Sequence, residues 1–375
     1  MNKVLMIAPM CSVHRRFNKA NINVLKRLGY EIHLLANFDL ETGGGELNRA
    51  FVKQCSEEGI KIYNLPFKRA VHVSNVRLIR KIRNLIYNGG YDIVHAHTET
   101  GGLLLRLAMI GKTKRFKAVY TPHGMSFYKG SPFISQRLFR PIERWICNRM
   151  DCNLAINTEE MEFLKLWNSK TAYFIHGIGI DTAGFVNTGT DSSIRNEMNI
   201  PQNAILLTAI GELNENKNHK VIIEAMHRLK NDDLYLVVCG VGPEKNNLLK
   251  MTEEFGLNDR IKLVGYRNDI KNILDETDIF VFSSFHEGLP VSIMEAMTEG
   301  LPVVCSDIRG NRDLIISGRG GYLFNPNSYE DLSEKIDMLI KNPKIKDEMG
   351  IFNLEKVKSY DIGNVENELV KIYRI

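Results

Sequence analysis

The strongest constraint on this chain is an alternation that runs for most of its length and is interrupted once. Short apolar, β-rich runs at 4–8, 31–36, 61–65, 92–97, 118–121, 152–156 and 173–176 are separated by segments of helical spacing. Those segments lie at 20–28, ended by Gly29, and at 47–58, 75–87, 101–110, 136–148 and 158–166, the last with Thr158 as its cap. Near 182–193 the composition turns to Thr, Asn, Gly, Asp and Ser, which reads as a linker. The alternation then restarts, with strands at 204–209, 234–239, 261–264, 278–284 and 302–306. Helices are expected at 219–229, 245–255, 270–275, 291–299, 311–316, 329–341 and 362–373. Strands that alternate with helices build parallel, doubly wound sheets. The expected fold is α/β, with two facing Rossmann-like domains at 1–182 and 194–357 and an inter-domain cleft.

Bulk properties exclude several classes. A chain of 375 residues with 25% charged residues is an ordinary globular protein with room for two domains. No run approaches the 18 or so apolar residues that span a bilayer. The opening apolar run is too short for a secretory signal, and Pro9 leads into basic residues, so it reads as a first strand. Six cysteines stand at unpaired spacings, which makes the cytoplasm the expected compartment. Net charge is +5 but uneven. Residues 61–150 hold 17 Lys plus Arg against three Asp plus Glu, +14, which leaves −9 for the rest. A basic half calls for an anionic partner, which could be nucleic acid, phosphorylated substrate or a membrane face.

The most chemical stretch is His286-Glu287-Gly288-Leu289-Pro290, followed by Glu295. It joins a strand to a helix, with Pro290 suited to a first helical position. Glu287 then sits at a strand's carboxyl end, where open α/β sheets bind ligands. The helix behind it offers N–H groups and a positive dipole end to an anion. A carboxylate at the mouth and another deeper suit a polyhydroxyl ligand that carries phosphate.

Four further constellations follow strands. Lys217 ends a turn just before a helix and can face a diphosphate. Gly240 and Gly242 make either a tight turn or a ligand contact. His123-Gly124 can approach a substrate closely. Alternation puts His95, His97 and Glu99 on one strand face, a weak metal signal without further convergent ligands. No Gly-x-Gly-x-x-Gly follows the first strand, which argues against a dinucleotide-dependent oxidoreductase. A nucleic-acid-binding protein would interleave stacking aromatics with its charges, and no such module is recognisable.

Glu287 and Glu295, seven residues between them in a Glu-Gly-Leu-Pro setting, resemble the donor-site signature of family 4 glycosyltransferases, which have the GT-B fold. Matching segments run from about residue 92 to residue 304. Those at 211–219 and 306–313 resemble bacterial capsule and exopolysaccharide transferases. The resemblance implies a retaining, metal-independent transfer from a nucleotide-sugar, a UDP-sugar by expectation, to a growing lipid-linked oligosaccharide. No cofactor is implied. His123, Glu287 and Lys217 form the implied catalytic set. Glu212, Gly240, Gly265, Tyr266, Gly288, Leu289, Pro290 and Glu295 form the donor set, with Gly265-Tyr266 at the base. His97 and Ser12 would line the cleft on the acceptor side. Glu212 departs from the family by standing where an Arg is frequent, and the 9–15 loop lacks the frequent Gly-Gly. The terminal helix, 358–375, is implied to cross back to the first domain. Arg77, Arg80, Lys81, Arg83, Lys112, Lys114, Arg115 and Lys117 are expected to attract anionic lipid at the inner membrane face, with no role for nucleic acid. An epimerase or hydrolase of the same fold is the competing reading.

Overall fold

The computed structural model describes residues 2–38, 45–66, 73–183 and 193–374, without the side chains of 73–77. Most of the expected linker, and the side chain of Arg77, lie outside the described residues. Two compact units emerge: Met1–Gly179 with Ile362–Ile375, and Ile180–Asp361.

In the first unit the elements run β1 (Lys3–Met10), α1 (Cys11–Phe17), α2 (Lys19–Arg27), β2 (Glu31–Asn37), α3 (Gly45–Glu57), β3 (Lys61–Asn64) and α4 (Val73–Asn88). They continue with β4 (Ile93–His97), α5 (Thr98–Ala108), β5 (Lys117–Thr121), α6 (Phe133–Cys147), β6 (Cys152–Ala155), α7 (Thr158–Asn168) and β7 (Ala172–Phe174). The sheet is parallel in the order β3-β2-β1-β4-β5-β6-β7. Chain order reverses between β1 and β4, so the carboxyl ends of those strands open a crevice. Leu5, Ile7, Val94 and Ala118 are fully buried under helices α4 to α6, as strands covered on both faces must be.

The second unit begins with a single turn, α8 (Ile194–Glu197). It continues β8 (Ile205–Ile210), α9 (His219–Leu229), β9 (Leu234–Cys239), α10 (Lys245–Glu254), β10 (Ile261–Gly265), α11 (Ile270–Asp275) and β11 (Ile279–Phe282). Then come α12 (Val291–Thr298), β12 (Val303–Ser306), α13 (Asn311–Leu314), β13 (Gly321–Phe324), α14 (Tyr329–Ile340) and α15 (Pro343–Val357). Its parallel sheet has the order β10-β9-β8-β11-β12-β13, with the reversal between β8 and β11. The last helix, α16 (Ile362–Arg374), belongs to the first unit. There its Glu366 takes hydrogen bonds and charge from Asn23 and Arg27. Glu368 binds His176.

Several local expectations need correction. The 9–15 segment is the end of β1 and the helix α1, not a loop. Asn157, not Thr158, caps α7, and its side chain accepts the Glu160 N–H. Pro290 is the N-cap of α12 rather than its first residue. Glu99 lies in the first turn of α5, off the strand face that carries His95 and His97, and accepts from Ser126. Strand β13 and helix α15 were not anticipated. Three of the cations assigned to a lipid face have internal partners. Arg83 donates to the carbonyls of Leu107 and Ala108 at the end of α5, Lys114 pairs with Asp151, and Lys117 reaches the Ile372 carbonyl. All six cysteines are buried and unbonded to one another. Among the described residues no helix is long and apolar enough to cross a membrane.

Candidate active site

In the second unit two loops at the β8–β11 reversal are zipped together. The Asn214 side chain accepts the Lys217 N–H at 3.0 Å, which fixes a short 3-10 turn after β8. Phe285 N–H donates to the Asn216 carbonyl, Asn216 Nδ2 donates to the His286 carbonyl, and Ser283 Oγ donates to the Lys217 carbonyl. This framework brings Lys217 Nζ to 2.6 Å from Glu287 Oε1, with both side chains mostly withdrawn from solvent. Nζ also lies 5.0 Å from the centre of the Phe282 ring, over its negative face.

Gly240 and Gly242 have a packing role in this framework. A Cβ on Gly240 would lie 1.8 Å from the Gly211 carbonyl oxygen, and one on Gly242 would lie 2.3 Å from that of Leu213. The turn after β9 is thus pressed against the loop that carries Lys217. Glu212 is exposed on that same loop, and Gly265 ends β10 with the exposed Tyr266 beyond it.

A second cation packs against the His286-Glu287 segment. Arg309, buried in the loop after β12, donates from Nη2 to His286 Nε2 at 2.6 Å and from Nε to the Glu287 carbonyl at 3.3 Å. Gly310 permits this approach, because a Cβ there would meet the Gly288 carbonyl oxygen at 2.3 Å. Lys217 and Arg309 therefore both hold the His286-Glu287 segment, one through the Glu287 side chain and the other through the Glu287 carbonyl and His286. Leu289 and Pro290 lead into α12, whose N-terminus has no side-chain cap. One turn along, burial pushes the Glu295 carboxyl up to about 7.

In the first unit the β1–β4 reversal carries a stack of imidazoles. His97 Nδ1 and His123 Nε2 are 3.0 Å apart, and their rings are stacked at 5.3 Å. Phe17 stacks on the His123 ring at 5.2 Å. His95 is spoken for. Tyr373 donates its hydroxyl proton to Asn21, so it accepts from His95 Nδ1, and His95 Nε2 then accepts from Thr121. His95 thus ties α16 to β4 and β5, and of the two strand histidines only His97 reaches His123. His14, which sequence reasoning passed over, packs 6.3 Å from His97 and hydrogen-bonds the Leu35 carbonyl. Burial drives His14 and His123 down to about 4 and holds His95 and His97 well below the ordinary imidazole value. These rings are neutral donors and acceptors. Ser12 sits in the first turn of α1, one turn before the end that bears Arg15 and Arg16.

Strain and orphan atoms mark the end of β4. Thr98 and His123 both have left-handed backbones, at φ 64 and 58, a costly geometry for a β-branched residue. His97 Nε2 and Thr98 Oγ1 are buried without a partner among the described residues. Polar atoms left this way accept a ligand hydroxyl or a water.

Two family models match the chain. One, described as Glycosyltransferase Family 4, covers residues 19–181, and the other, Glycosyl transferases group 1, covers 191–353. The chain belongs to the family 4 glycosyltransferases. Among curated relatives, EpsD of Bacillus subtilis, a glycosyltransferase by provisional assignment, is 28% identical over 99% of this chain and 96% of its own. The UDP-Gal:alpha-D-GlcNAc-diphosphoundecaprenol alpha-1,3-galactosyltransferase of Escherichia coli is 27% identical over 71% of this chain and 72% of its own. The structure of Anabaena HepE in complex with UDP aligns over the whole of both chains with a TM-score of 0.79 at 17% identity. The fold of this glycosyltransferase is therefore GT-B, with two parallel-sheet Rossmann-like domains.

Proposed function

We propose that this glycosyltransferase moves a sugar from a UDP-sugar to a lipid-linked saccharide in polysaccharide assembly, with retention at the anomeric carbon and without a metal ion. The observation that carries the reading is the Lys217–Glu287 pair set beside Arg309 and the uncapped start of α12. Departure of a nucleoside diphosphate builds negative charge on the leaving oxygen. Preorganised cations and N–H dipoles lower that barrier without reorganising at the moment of reaction. Lys217 turns from Glu287 toward the phosphates, and Glu287 is then free to hold sugar hydroxyls. Glu295 accepts from ribose hydroxyls, and Tyr266 stacks on the base. His123, neutral and braced by His97, contacts the donor sugar through a hydrogen bond rather than a charge. The polysaccharide assignment is supported by the relatives' names, one of which specifies a diphosphoundecaprenol acceptor.

Thermal protection by a panel of UDP-, GDP- and ADP-sugars tests the donor. A donor at about 100 times its dissociation constant adds about 2.7 kcal/mol of stability. No shift with any UDP-sugar would overturn the donor reading. Anomeric NMR of the product reports retention or inversion, and sugar released equally fast without acceptor would favour a hydrolase instead.

A further inference from the structure

We infer that α6 is a membrane-docking helix whose occupant is an anionic lipid bilayer. Helix α6 closes one side of the first unit. Its inner face, with Phe139, Ile142, Trp145 and Ile146, packs on the core. An ordinary surface helix then shows polar residues outward. This one does the reverse over its first two turns. Phe133, Ile134 and Leu138 are exposed by 73%, 75% and 54%, and Pro141 continues the same face. Contiguous exposed apolar side chains of this size mark an interaction surface.

Charge selects the partner. Arg137 and Arg144 are exposed on the same face, and Arg137 lies 5.8 Å from the Phe133 ring centre. The helix's one acid, Glu143, is turned inward, where it accepts the Tyr120 hydroxyl at 3.0 Å. Nothing negative is left on the outer face. Apolar side chains flanked by arginines without acids form the pattern of a helix lying in the headgroup layer of an anionic bilayer. Helices α4, α5 and α6 pack side by side, and Arg106 of α5 stacks on Trp145 at 4.1 Å. The exposed Arg80 and Lys81 of α4 and Lys112 and Arg115 after α5 add charge to the same unit. The inference gives the lipid-linked acceptor reading a physical site of delivery, and it rests on that reading for its purpose alone.

The test is flotation of the full chain with vesicles of phosphatidylcholine, with and without phosphatidylglycerol. The wild type should float with the anionic vesicles. Phe133→Ser/Ile134→Ser/Leu138→Ser should lower the bound fraction at least about tenfold, since each side chain loses a buried apolar contact with the acyl boundary. Arg137→Gln/Arg144→Gln should narrow the preference for anionic over neutral vesicles, and added salt should do the same. A Phe133→Trp variant should shift its emission to the blue on vesicle addition. Unchanged flotation of the triple variant would overturn the inference, as would equal recovery with neutral and anionic vesicles. A wild-type dimer that the triple variant dissolves, with flotation unaltered, would show that a second copy covers the face instead. UDP protection measured on the same proteins keeps the two readings apart: its absence with flotation intact would sink only the donor assignment.

Discussion

Lys217 Nζ and Glu287 Oε1 are 2.6 Å apart, and each is the other's charge partner where the strand order of the second sheet reverses. In the proposed donor site this pair would keep a lysine ready for the diphosphate. Lys217→Ala should cut turnover about 10²–10³-fold, the usual cost of losing one donor to a developing anion. Glu287→Gln should lower it too, and the double variant should lose less than the two single losses combined. Initial rates of UDP release from a UDP-sugar measure all three.

Arg309 should separate diphosphate from nucleoside. Arg309→Gln is expected to weaken UDP at least about tenfold and leave uridine nearly unchanged, because a charge-assisted contribution is worth about 1.5–3 kcal/mol. Arg309→Lys should fail to restore it. An ammonium cannot serve His286 Nε2 and the Glu287 carbonyl with the planar fork that both bonds use. Calorimetric titration with UDP and uridine reads both outcomes.

Donor binding should depend on Glu295. Its carboxyl is raised to about 7, so it is half protonated near neutrality and neutral in mild acid. If ribose hydroxyls donate to the carboxylate, binding releases a proton. UDP affinity should then fall about tenfold for each pH unit below about 7. Glu295→Gln should be weak at every pH and show a flat profile between about pH 5.5 and 7.5.

The imidazole stack predicts an acid-sensitive first unit. His14 and His123 sit near 4 against an ordinary value of 6.5, lowered by burial, so the fold favours the neutral rings. Their stabilising contribution is complete above 6.5 and is lost as pH falls from 6.5 toward 4. The cost is about 1.4 kcal/mol per histidine per pH unit in that window. Urea midpoints should drop steeply between about pH 6.5 and 5, and His14→Asn should lower stability overall while flattening that slope.

Gly240→Ala should be severe although it adds one methyl. The new carbon would sit 1.8 Å from the Gly211 carbonyl oxygen, with backbone on both sides and no flexible side chain to yield. A loss of about 2–3 kcal/mol is expected from overpacking. The Lys217 loop should move with it, so UDP binding should weaken in the fraction that still folds.

Most of the architecture could be read from the chain because buried parallel strands write themselves as short β-rich runs. All seven strands of the first sheet announce themselves this way. Strand β13 does not, since it opens on Gly321, whose backbone at φ 150 lies against the Val303 carbonyl. Helix α15 was silent for a related reason. Its buried positions are Met349, Gly350, Asn353 and Val357, so no apolar stripe marks its inner face. Asn353 instead donates to the carbonyls of Leu301 and Gly320. At the site, Glu287 and Lys217 were legible because each follows a strand in a patterned loop. Arg309 was not, because only tertiary packing carries it back 22 positions to Glu287. His14 was hidden in what read as a loop.

Helix α16 has a consequence for synthesis of the molecule. Tyr373 provides the hydroxyl that receives the His95 proton, yet the whole of the second unit is translated between these residues. The half made first must wait at the ribosome with His95, Asn21 and the Glu368 partner His176 unsatisfied. The half made second is one continuous stretch, Ile180–Asp361. Order of emergence and order of completion are therefore opposite, and a nascent chain released early would expose the groove that α16 fills.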